Sequence, residues 1–230
     1  MLLAIAGMKN SGKGVASDML KYILSAPKPF KNYWFYKIGI RFPSKFKITS
    51  FAKPLKKVLS VILQVPESKF EDRTFKEKYY LQIGDFRLIE ENLLDQEDKL
   101  SDNKFTRLLK TGESLLNKWL SIRQLMQYVG TEVLRTYLGE NVWVQSTLKE
   151  HDNLIVSDLR FKNELKEVHA LNGYVIFINR KTAKPGTHAS EREVIDLLNN
   201  NEFDYIVDNN GSLKDLFNNI KKINTCLVNK

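Results

Sequence analysis

Five short stretches along the chain are rich in apolar residues and have the length of buried β-strands. Apolar runs of about four to eight residues bounded by turn residues are typical of such strands. They occupy residues 2–6, 47–51, 153–158, 174–179 and 205–208. Between them, apolar residues recur at helical spacing, as Val15, Met19, Tyr22 and Ile23 do after the first stretch. Strands that alternate with helices predict an α/β fold with a mostly parallel sheet.

The first strand runs directly into a glycine-rich turn, GMKNSGKG at residues 7–14, and a helix follows. This order is the context of a phosphate-binding P-loop. Gly7 and Gly12 let the backbone approach phosphate oxygens, while the turn's N–H groups and the helix N-terminus point at a polyphosphate. Lys13 is expected to reach the β- and γ-phosphates. Gly14 stands where a Ser or Thr usually offers its hydroxyl to Mg²⁺, which favours small-molecule kinases; an ordinary Gly/Lys turn is the alternative.

Three segments lack a clear periodic pattern. Residues 26–45 are rich in proline, lysine and aromatic residues; we interpret them as a loop or hairpin that covers the sheet, with a nucleic-acid surface as the alternative. Residues 66–116 carry dense charges, which predicts an inserted helical or irregular segment. Arg73 and Arg107 could face a substrate there, although a solvated surface is favoured. Residues 181–190, KTAKPGTHAS, suit a mobile flap.

A long amphipathic helix is predicted over residues 121–135. Beside its buried stripe, a second stripe carries a guanidinium, an amide, a gap and a hydroxyl, from Arg123, Gln127, Gly130 and Thr131. Gly130 lowers helix stability, so something is expected to approach closely there; a solvated face with an incidental glycine is the alternative. Another helix, beginning near Pro54, is predicted to bury one face: Leu55, Val58, Leu59, Ile62 and Leu63.

Asp158 ends the third apolar stretch, at the position where open α/β sheets place ligand chemistry. Arg160 and Glu164 follow and are four residues apart, so a salt bridge between them is the simpler account of that pair. Ser212, after the last strand, is predicted to cap the final helix.

Composition narrows the function. The 230 residues suit one α/β domain with an insertion, and a net charge of +9 with a pI near 9.4 suits anionic ligands, nucleotides and nucleic acids included. The single cysteine, Cys226, excludes a disulfide framework and a cysteine-based zinc site. No apolar run approaches the roughly 18 residues of a membrane span, and the N-terminus forms a strand and P-loop rather than a signal peptide, so a soluble, reducing compartment is expected.

The chain resembles the bacteriophage deoxynucleoside monophosphate kinases of the P-loop kinase superfamily. Four blocks carry the resemblance: GMKNSGKG, SFAKPLK, RQLMQYVGTEVLR followed by Trp143, and SDLRFKNE with the strand YVIFINR; DNNGSLKDL also fits. Roughly residues 26–46 and 66–116 are unmatched. The resemblance implies a single domain over residues 1–230, built on a five-stranded mostly parallel sheet with helices on both faces and a lid near residues 180–192.

The resemblance also implies transfer of the ATP γ-phosphoryl group to a deoxynucleoside 5′-monophosphate (dNMP), with Mg²⁺ held by phosphates and water. The implied catalytic residues are Lys13, Asp158, Arg160 and Arg180. The implied ATP-binding residues are Lys9, Asn10, Ser11, Gly12, Lys13, Gly14, Val15, Asn209 and Gly211. The implied dNMP-binding residues are Arg123, Gln127, Gly130, Thr131, Trp143, Asp158, Arg160 and Glu164.

Particular roles follow from the resemblance. Arg123 and Arg160 would clamp the acceptor phosphate, and Asp158 would order a Mg²⁺-bound water or orient the acceptor. Trp143 would flank the acceptor base, Arg180 would neutralise charge on the transferred group, and the turn at residues 209–212 would border adenine. Gln124 stands where a relative has a basic residue, and Gly14 and Val15 replace polar residues. These departures leave base preference and Mg²⁺ placement open.

Two other functions stay open. One is a P-loop kinase acting on another small metabolite, of the dephospho-coenzyme A or phosphomevalonate type. The other is a nucleic-acid-binding ATPase, which the basic charge favours but the lack of a helicase-like second motor domain argues against. The chain is therefore expected to bind ATP and a dNMP in the cytoplasm, that of the host if it is viral, without membrane or nucleic-acid partners; a homodimer is an open option.

Overall fold

The structure, a computed structural model, describes residues 1–149, 153–183 and 189–228. The chain divides into two units, which are described separately. The first unit comprises Met1–Phe51 and Val144–Lys230, and the second comprises Ala52–Trp143. The second unit contains the predicted insertion, residues 66–116, and extends beyond it on both sides. Within the described ranges, no helix is both long and apolar enough to span a membrane.

Strands and helices alternate along much of the chain. The strands are β1 Leu2–Ala6, β2 Lys47–Thr49, β3 Tyr79–Gln82, β4 Leu88–Glu90, β5 Trp119–Ser121, β6 Leu154–Leu159, β7 Tyr174–Asn179 and β8 Tyr205–Asp208. The helices are α1 Lys13–Ser25, α2 Tyr33–Lys37, α3 Lys53–Leu63, α4 Arg73–Lys78, α5 Asp102–Thr111, α6 Ile122–Gln127, α7 Leu134–Leu138, α8 Val142–Leu148, α9 Lys162–Ala170, α10 Ala189–Asn199 and α11 Leu213–Val228. Short 3₁₀ turns occur at Lys28–Phe30, Glu67–Phe70 and Glu91–Leu93, and a π-helical turn at Tyr128–Val133 joins α6 to α7.

The first unit is built on a five-stranded sheet in the order β2-β6-β1-β7-β8, and every neighbouring pair is parallel. The central strands are near-continuous apolar runs because both of their faces are covered; all five residues of β1 are buried. This confirms the predicted sheet. Since parallel strands all end at one edge, the segments that follow β1, β6, β7 and β8 begin on the same side of the sheet.

Helices cover both faces of this sheet. Successive residues of a strand face opposite sides. Leu3 and Ile5 of β1 pack into one cluster with the apolar faces of α1 and α11. Leu2 lies on the other face, near Val168 of α9. Gly173 lies between them: a Cβ added to Gly173 would lie 2.9 Å from Leu2 Cγ and 2.8 Å from Val168 Cγ1. The predicted helices on both faces of the sheet are therefore present in the first unit.

Residues 26–45 cover α1 and α11 with a short helix rather than covering the sheet with a hairpin. The rings of Tyr33 and Tyr36 in α2 lie 5.9 and 5.6 Å from the ring of Phe217 in α11. Tyr36 donates its hydroxyl hydrogen bond to Asp18 of α1 at 2.9 Å, and burial together with that carboxylate raises the Tyr36 pKa. The prediction that this segment covers the sheet was therefore wrong, because its aromatic rings pack on two helices instead; Trp34 is 61% exposed.

The second unit contains a three-stranded sheet in the order β4-β3-β5, with both pairs antiparallel. The prediction of a helical or irregular segment over residues 66–116 was therefore wrong for β3 and β4, which form a hairpin. Gly84 and Phe86, in the connection, have φ values of 109° and 58°, the left-handed backbone that a tight connection requires. These strands are short and half-buried, so their apolar positions are too few to show a period.

The predicted helix over residues 121–135 is interrupted by the π-helical turn. Gly130 lies in that turn, and a Cβ added to it would be 2.7 Å from Leu55 Cδ2 of α3. The Gly130 carbonyl accepts a hydrogen bond from Trp143 Nε1 at 2.8 Å. Leu55 thus packs against Gly130, and Trp143 donates a hydrogen bond to its carbonyl, at the point where the helix widens into the π turn.

The predicted apolar face of α3 is narrower in the structure. Leu55 and Leu59 are buried, but Val58 and Ile62 are 39% and 49% exposed, so the prediction was wrong for those two residues. Within the second unit, α3 contacts α6 and the turn Glu67–Phe70. These two elements cover only a narrow stripe of α3.

Candidate active site

The P-loop has the backbone that its glycines predict. It follows β1 and leads into α1, with Ser11 N–H donating to Met8 O at 3.1 Å. Gly12 has a φ of 96°, and a Cβ on it would lie 2.5 Å from Asn209 Nδ2. A side chain at Gly12 is therefore excluded by both strain and contact. Gly14 differs, because an added Cβ there meets nothing within 4 Å.

Lys13 lies across the P-loop. Its Nζ donates to Gly7 O at 2.7 Å and to Met8 O at 2.8 Å, so the ammonium group is held beside the loop's own carbonyls. Lys9 and Asn10 are exposed, and Val15 is 42% exposed. A positive charge and exposed polar groups thus lie along the loop that is predicted to bind the ATP phosphates.

Ser11 is the buried member of the P-loop. Its side chain is fully buried, and its Oγ has no hydrogen-bond partner among the described residues. Its carbonyl accepts a hydrogen bond from Asn209 Nδ2 at 2.8 Å. The predicted adenine-bordering turn therefore directs the Asn209 side chain at the P-loop. Gly211, in the same turn, is close to the start of α11: a Cβ added to Gly211 would lie 2.7 Å from Asp215 Oδ2.

Asp215 and Ser212 together cap the start of the last helix, α11. Ser212 N–H and Oγ donate to Asp215 Oδ2 at 2.9 and 2.7 Å, and Asp215 N–H donates to Ser212 Oγ at 3.3 Å. These hydrogen bonds lower the pKa of Asp215. The reciprocal pair is a capping box, so the predicted Ser212 cap is confirmed.

The segment after β6 is shaped by two carboxylates. Asp158 Oδ1 accepts a hydrogen bond from Phe51 N–H at 2.7 Å, which ties the end of β6 to the segment that follows β2. Glu164 is buried, and its Oε2 accepts from the N–H groups of Arg160 at 2.7 Å and Phe161 at 3.1 Å. Glu164 thus holds the backbone of the turn that presents Arg160, a contact different from the salt bridge considered from the sequence.

Arg180 directly follows β7 and is exposed. Its carbonyl accepts from Ala183 N–H at 3.0 Å, and the next residue, Lys181, donates its N–H to Asn210 Oδ1 at 2.7 Å. Residues 184–188, in the middle of the predicted lid, lie outside the described residues. The lid therefore stays a prediction.

In the second unit, Arg123 belongs to a charged cluster. Arg123 Nη2 donates to Glu77 Oε1 at 3.0 Å, and Arg73 Nε donates to both oxygens of the same carboxylate at 3.1 and 3.2 Å. Partial burial alone would raise the Glu77 pKa, but the two guanidinium groups outweigh it and the pKa lies below its ordinary value. Burial, with the charges of Lys56 and Arg123, lowers the pKa of Lys76. These groups form a locally basic surface.

The other second-unit residues predicted to bind a dNMP fall into two groups. Gln127 and Thr131 are half-buried. Gly130 and Trp143 are buried and hydrogen-bonded to each other, and the gap predicted at Gly130 holds Leu55. The indole N–H of Trp143 is engaged in that bond, so a contact with a base would use the ring.

A family model described as deoxynucleotide monophosphate kinase matches residues 69–220. This chain belongs to that family. The match includes every residue predicted to bind a dNMP, and the P-loop lies outside it. The resemblance inferred from the sequence motifs is therefore confirmed.

Two relatives of this family member are phage proteins named deoxynucleotide monophosphate kinase. That of Enterobacteria phage T4 is 26% identical over 242 residues, covering 96% of this chain and 97% of the relative. That of Escherichia phage RB69 is 26% identical over 170 residues, covering 70% of this chain and 67% of the relative. A dephospho-CoA kinase from Campylobacter jejuni superposes with a TM-score of 0.39 at 15% identity, covering 98% of this chain and 96% of that chain.

Three contacts in this family member were not anticipated. Glu77 and Arg73 accompany Arg123, and their spacing of four residues on α4 was a visible signal for the pair. Gln124, noted as a departure from a basic residue, is buried and donates Nε2 to Leu100 O at 2.8 Å and Asp102 Oδ1 at 2.9 Å. The third contact, between Asn209 and Ser11, joins distant parts of the sequence.

The residues present are compatible with Mg²⁺ held mainly by substrate. Within the described ranges, no group of three or more His, Cys, Asp or Glu side chains could hold a metal ion. Asp158 offers one carboxylate near the end of β6, and position 14 offers no hydroxyl. Magnesium keeps several waters and often binds through one carboxylate and substrate phosphates, so this donor set fits.

Proposed function

We propose that this protein transfers the γ-phosphoryl group of ATP to a deoxynucleoside 5′-monophosphate and yields a deoxynucleoside diphosphate and ADP. The observation that carries the proposal is the family match over residues 69–220, in a chain that also has an intact strand–P-loop–helix unit. The phage T4 relative, which aligns with nearly the whole chain, is itself named a deoxynucleotide monophosphate kinase.

The P-loop would hold the donor. Backbone N–H groups of residues 9–14 and the N-terminus of α1 would bind the β- and γ-phosphate oxygens. Lys13 would exchange its contacts with Gly7 O and Met8 O for phosphate oxygens, which are stronger acceptors for an ammonium group. Mg²⁺, held by phosphates, water and the Asp158 carboxylate, would neutralise charge on the transferred group.

Two arginines would bind the acceptor phosphate. Glu164 accepts a hydrogen bond from the backbone N–H of Arg160, so the turn that carries the Arg160 side chain is held in place. Arg123 uses one of its five N–H donors on Glu77, which leaves others for a phosphate oxygen. Planar guanidinium groups suit this task because they bind phosphate bidentately. Gln127 and Thr131 would supply an amide and a hydroxyl to the nucleoside, and Trp143 a ring edge.

The chemical step needs alignment and charge neutralisation more than covalent help. An oxygen of the acceptor's 5′-phosphate attacks the γ-phosphorus, the bond from that phosphorus to the β–γ bridging oxygen breaks, and ADP leaves with that electron pair. Arg180, which follows β7, would stabilise the negative charge that develops on the transferred group.

An acceptor panel tests the proposal. ADP release is measured in a coupled assay with ATP and each of the four dNMPs, AMP, dephospho-coenzyme A and phosphomevalonate, and the products are identified by mass. We expect deoxynucleoside diphosphates to form. Turnover confined to dephospho-coenzyme A or phosphomevalonate would identify a different small-molecule kinase. ATP hydrolysis that requires DNA and falls steeply with salt would identify a nucleic-acid-dependent ATPase.

A further inference from the structure

The Asn209 carboxamide joins the turn after β8 to the P-loop. Its Nδ2 donates to Ser11 O at 2.8 Å, and the backbone N–H of Asn209 donates to Asn179 O, at the end of β7, also at 2.8 Å. The Asn209 side chain is buried. One residue therefore connects two strand ends to the loop that is proposed to hold the triphosphate.

The surrounding packing leaves this connection little freedom. A Cβ on Gly12 would lie 2.5 Å from Asn209 Nδ2, so the carboxamide fills the space that a side chain would take. On the other side of the loop, a Cβ on Gly7 would lie 2.6 Å from Ser11 Oγ and 2.9 Å from Ile178 O. The loop is thus packed against the ends of β7 and β8 at Gly7 and at Gly12.

The bond to Ser11 O fixes the direction of a whole peptide group. The peptide unit is planar and trans, so the carbonyl of Ser11 and the N–H of Gly12 point in opposite directions. Since the carbonyl is directed at Asn209, the Gly12 N–H is directed away from it. Backbone N–H groups of a P-loop are the donors that bind phosphate oxygens.

We propose that Asn209 is a positioning residue for the triphosphate: it orients the Ser11–Gly12 peptide so that Gly12 N–H faces the phosphates, and it does not contact adenine. This role rests on the proposed function, because it requires the P-loop to bind ATP. It differs from the sequence expectation that Asn209 borders the adenine ring. Without Asn209, the buried Ser11 carbonyl loses its donor and the peptide can rotate, which removes one correctly aimed N–H.

The test compares two ligands that share phosphates but not a base. Affinities for ATP and for inorganic tripolyphosphate are measured by calorimetry for the wild type, Asn209→Ala and Asn209→Asp. Both variants are expected to bind both ligands about tenfold or more weakly, by equal factors. Asp is the near-isosteric variant, and when ionised it cannot donate to Ser11 O. In kinetic assays, KM for ATP should rise while KM for the dNMP at saturating ATP stays unchanged.

Asn219→Ala is the matched control. Asn219 Nδ2 donates to Asp208 O at 3.1 Å, one residue before Asn209, but this hydrogen bond is exposed and Asn219 lies on α11. It should leave both affinities unchanged. If an Asn209 variant loses ATP affinity and keeps tripolyphosphate affinity, the side chain contacts adenine and the proposal is overturned. Unchanged affinity for both ligands in a folded variant also overturns it. A wild type that binds neither ligand refutes the proposed function itself.

Discussion

Replacing Gly12 by Ala should destabilise the first unit far more than replacing Gly14 by Ala. Gly12 has a left-handed φ of 96°, and its new Cβ would lie 2.5 Å from Asn209 Nδ2. The left-handed backbone costs about 1–2 kcal/mol for a residue with a Cβ. Displacing Asn209 leaves the buried Ser11 carbonyl without its donor, which costs about 1–3 kcal/mol more. The expected loss is therefore about 2–5 kcal/mol.

Thermal unfolding followed by circular dichroism measures this difference. For a chain of this size, a loss of about 2–5 kcal/mol corresponds to a fall in Tm of roughly 5–15 °C. Gly14→Ala is the matched substitution in the same loop: it lies in α1, its Cβ would meet nothing within 4 Å, and alanine favours the helix by up to about 1 kcal/mol. If Gly12→Ala melts within a degree of Gly14→Ala, the contact between Gly12 and Asn209 does not constrain the loop and the reasoning fails.

Four further substitutions test the site. Lys13→Ala should lower kcat by about 10²–10³-fold in a folded protein, because it removes a charge directed at the transferred group; near-normal kcat would refute the P-loop assignment. Arg160→Lys should keep its Tm and ATP affinity and lose at least about tenfold in kcat/KM for the dNMP, whereas a loss of Tm alone would make Arg160 structural. Glu164→Gln should lower stability by about 1–3 kcal/mol, because a neutral amide replaces a buried carboxylate that accepts two N–H groups; an unchanged Tm would contradict that account. Gly14→Ser places a hydroxyl in open space and should lower the Mg²⁺ concentration needed for half-maximal rate, and an unaltered Mg²⁺ titration would show that position 14 does not face the metal.

The sheet of the first unit could be predicted closely because its strands are apolar runs bounded by turn residues, and the runs in β1 and β7 are almost continuously buried. The predicted stretches 174–179 and 205–208 coincide with β7 and β8. The hairpin of β3 and β4 could not be predicted in the same way. Its strands are three or four residues long and half exposed, so they lack the continuous apolar run that marks a buried strand.

The chemistry of single residues was more predictable than their contacts. The P-loop could be identified because its glycines, lysine, strand and helix are adjacent in sequence. The partners of its members are not adjacent: Asn209 is 198 residues from Ser11, and Phe51 is 107 residues from Asp158. Local patterns carry no information on such pairs. For the same reason the interruption at Gly130 was not foreseen, since it depends on Leu55 and Trp143.

The π-helical turn at Tyr128–Val133 lets the chain hold an extra residue between α6 and α7 without rotating the side chains of one helix relative to those of the other. A π turn accommodates roughly one residue more than an α-helical turn, and each α-helical residue advances the side chains by about 100°. Loss of one residue between Gln127 and Leu134 could therefore restore a continuous α-helix without changing the order of any element. Because the extra residue is taken up within the turn, the side chains of α7 would keep roughly their present directions relative to those of α6, whereas a deletion inside α6 or α7 would rotate them by about 100°. Loss of one residue among relatives is thus expected to be tolerated better in these six residues than within α6 or α7 themselves.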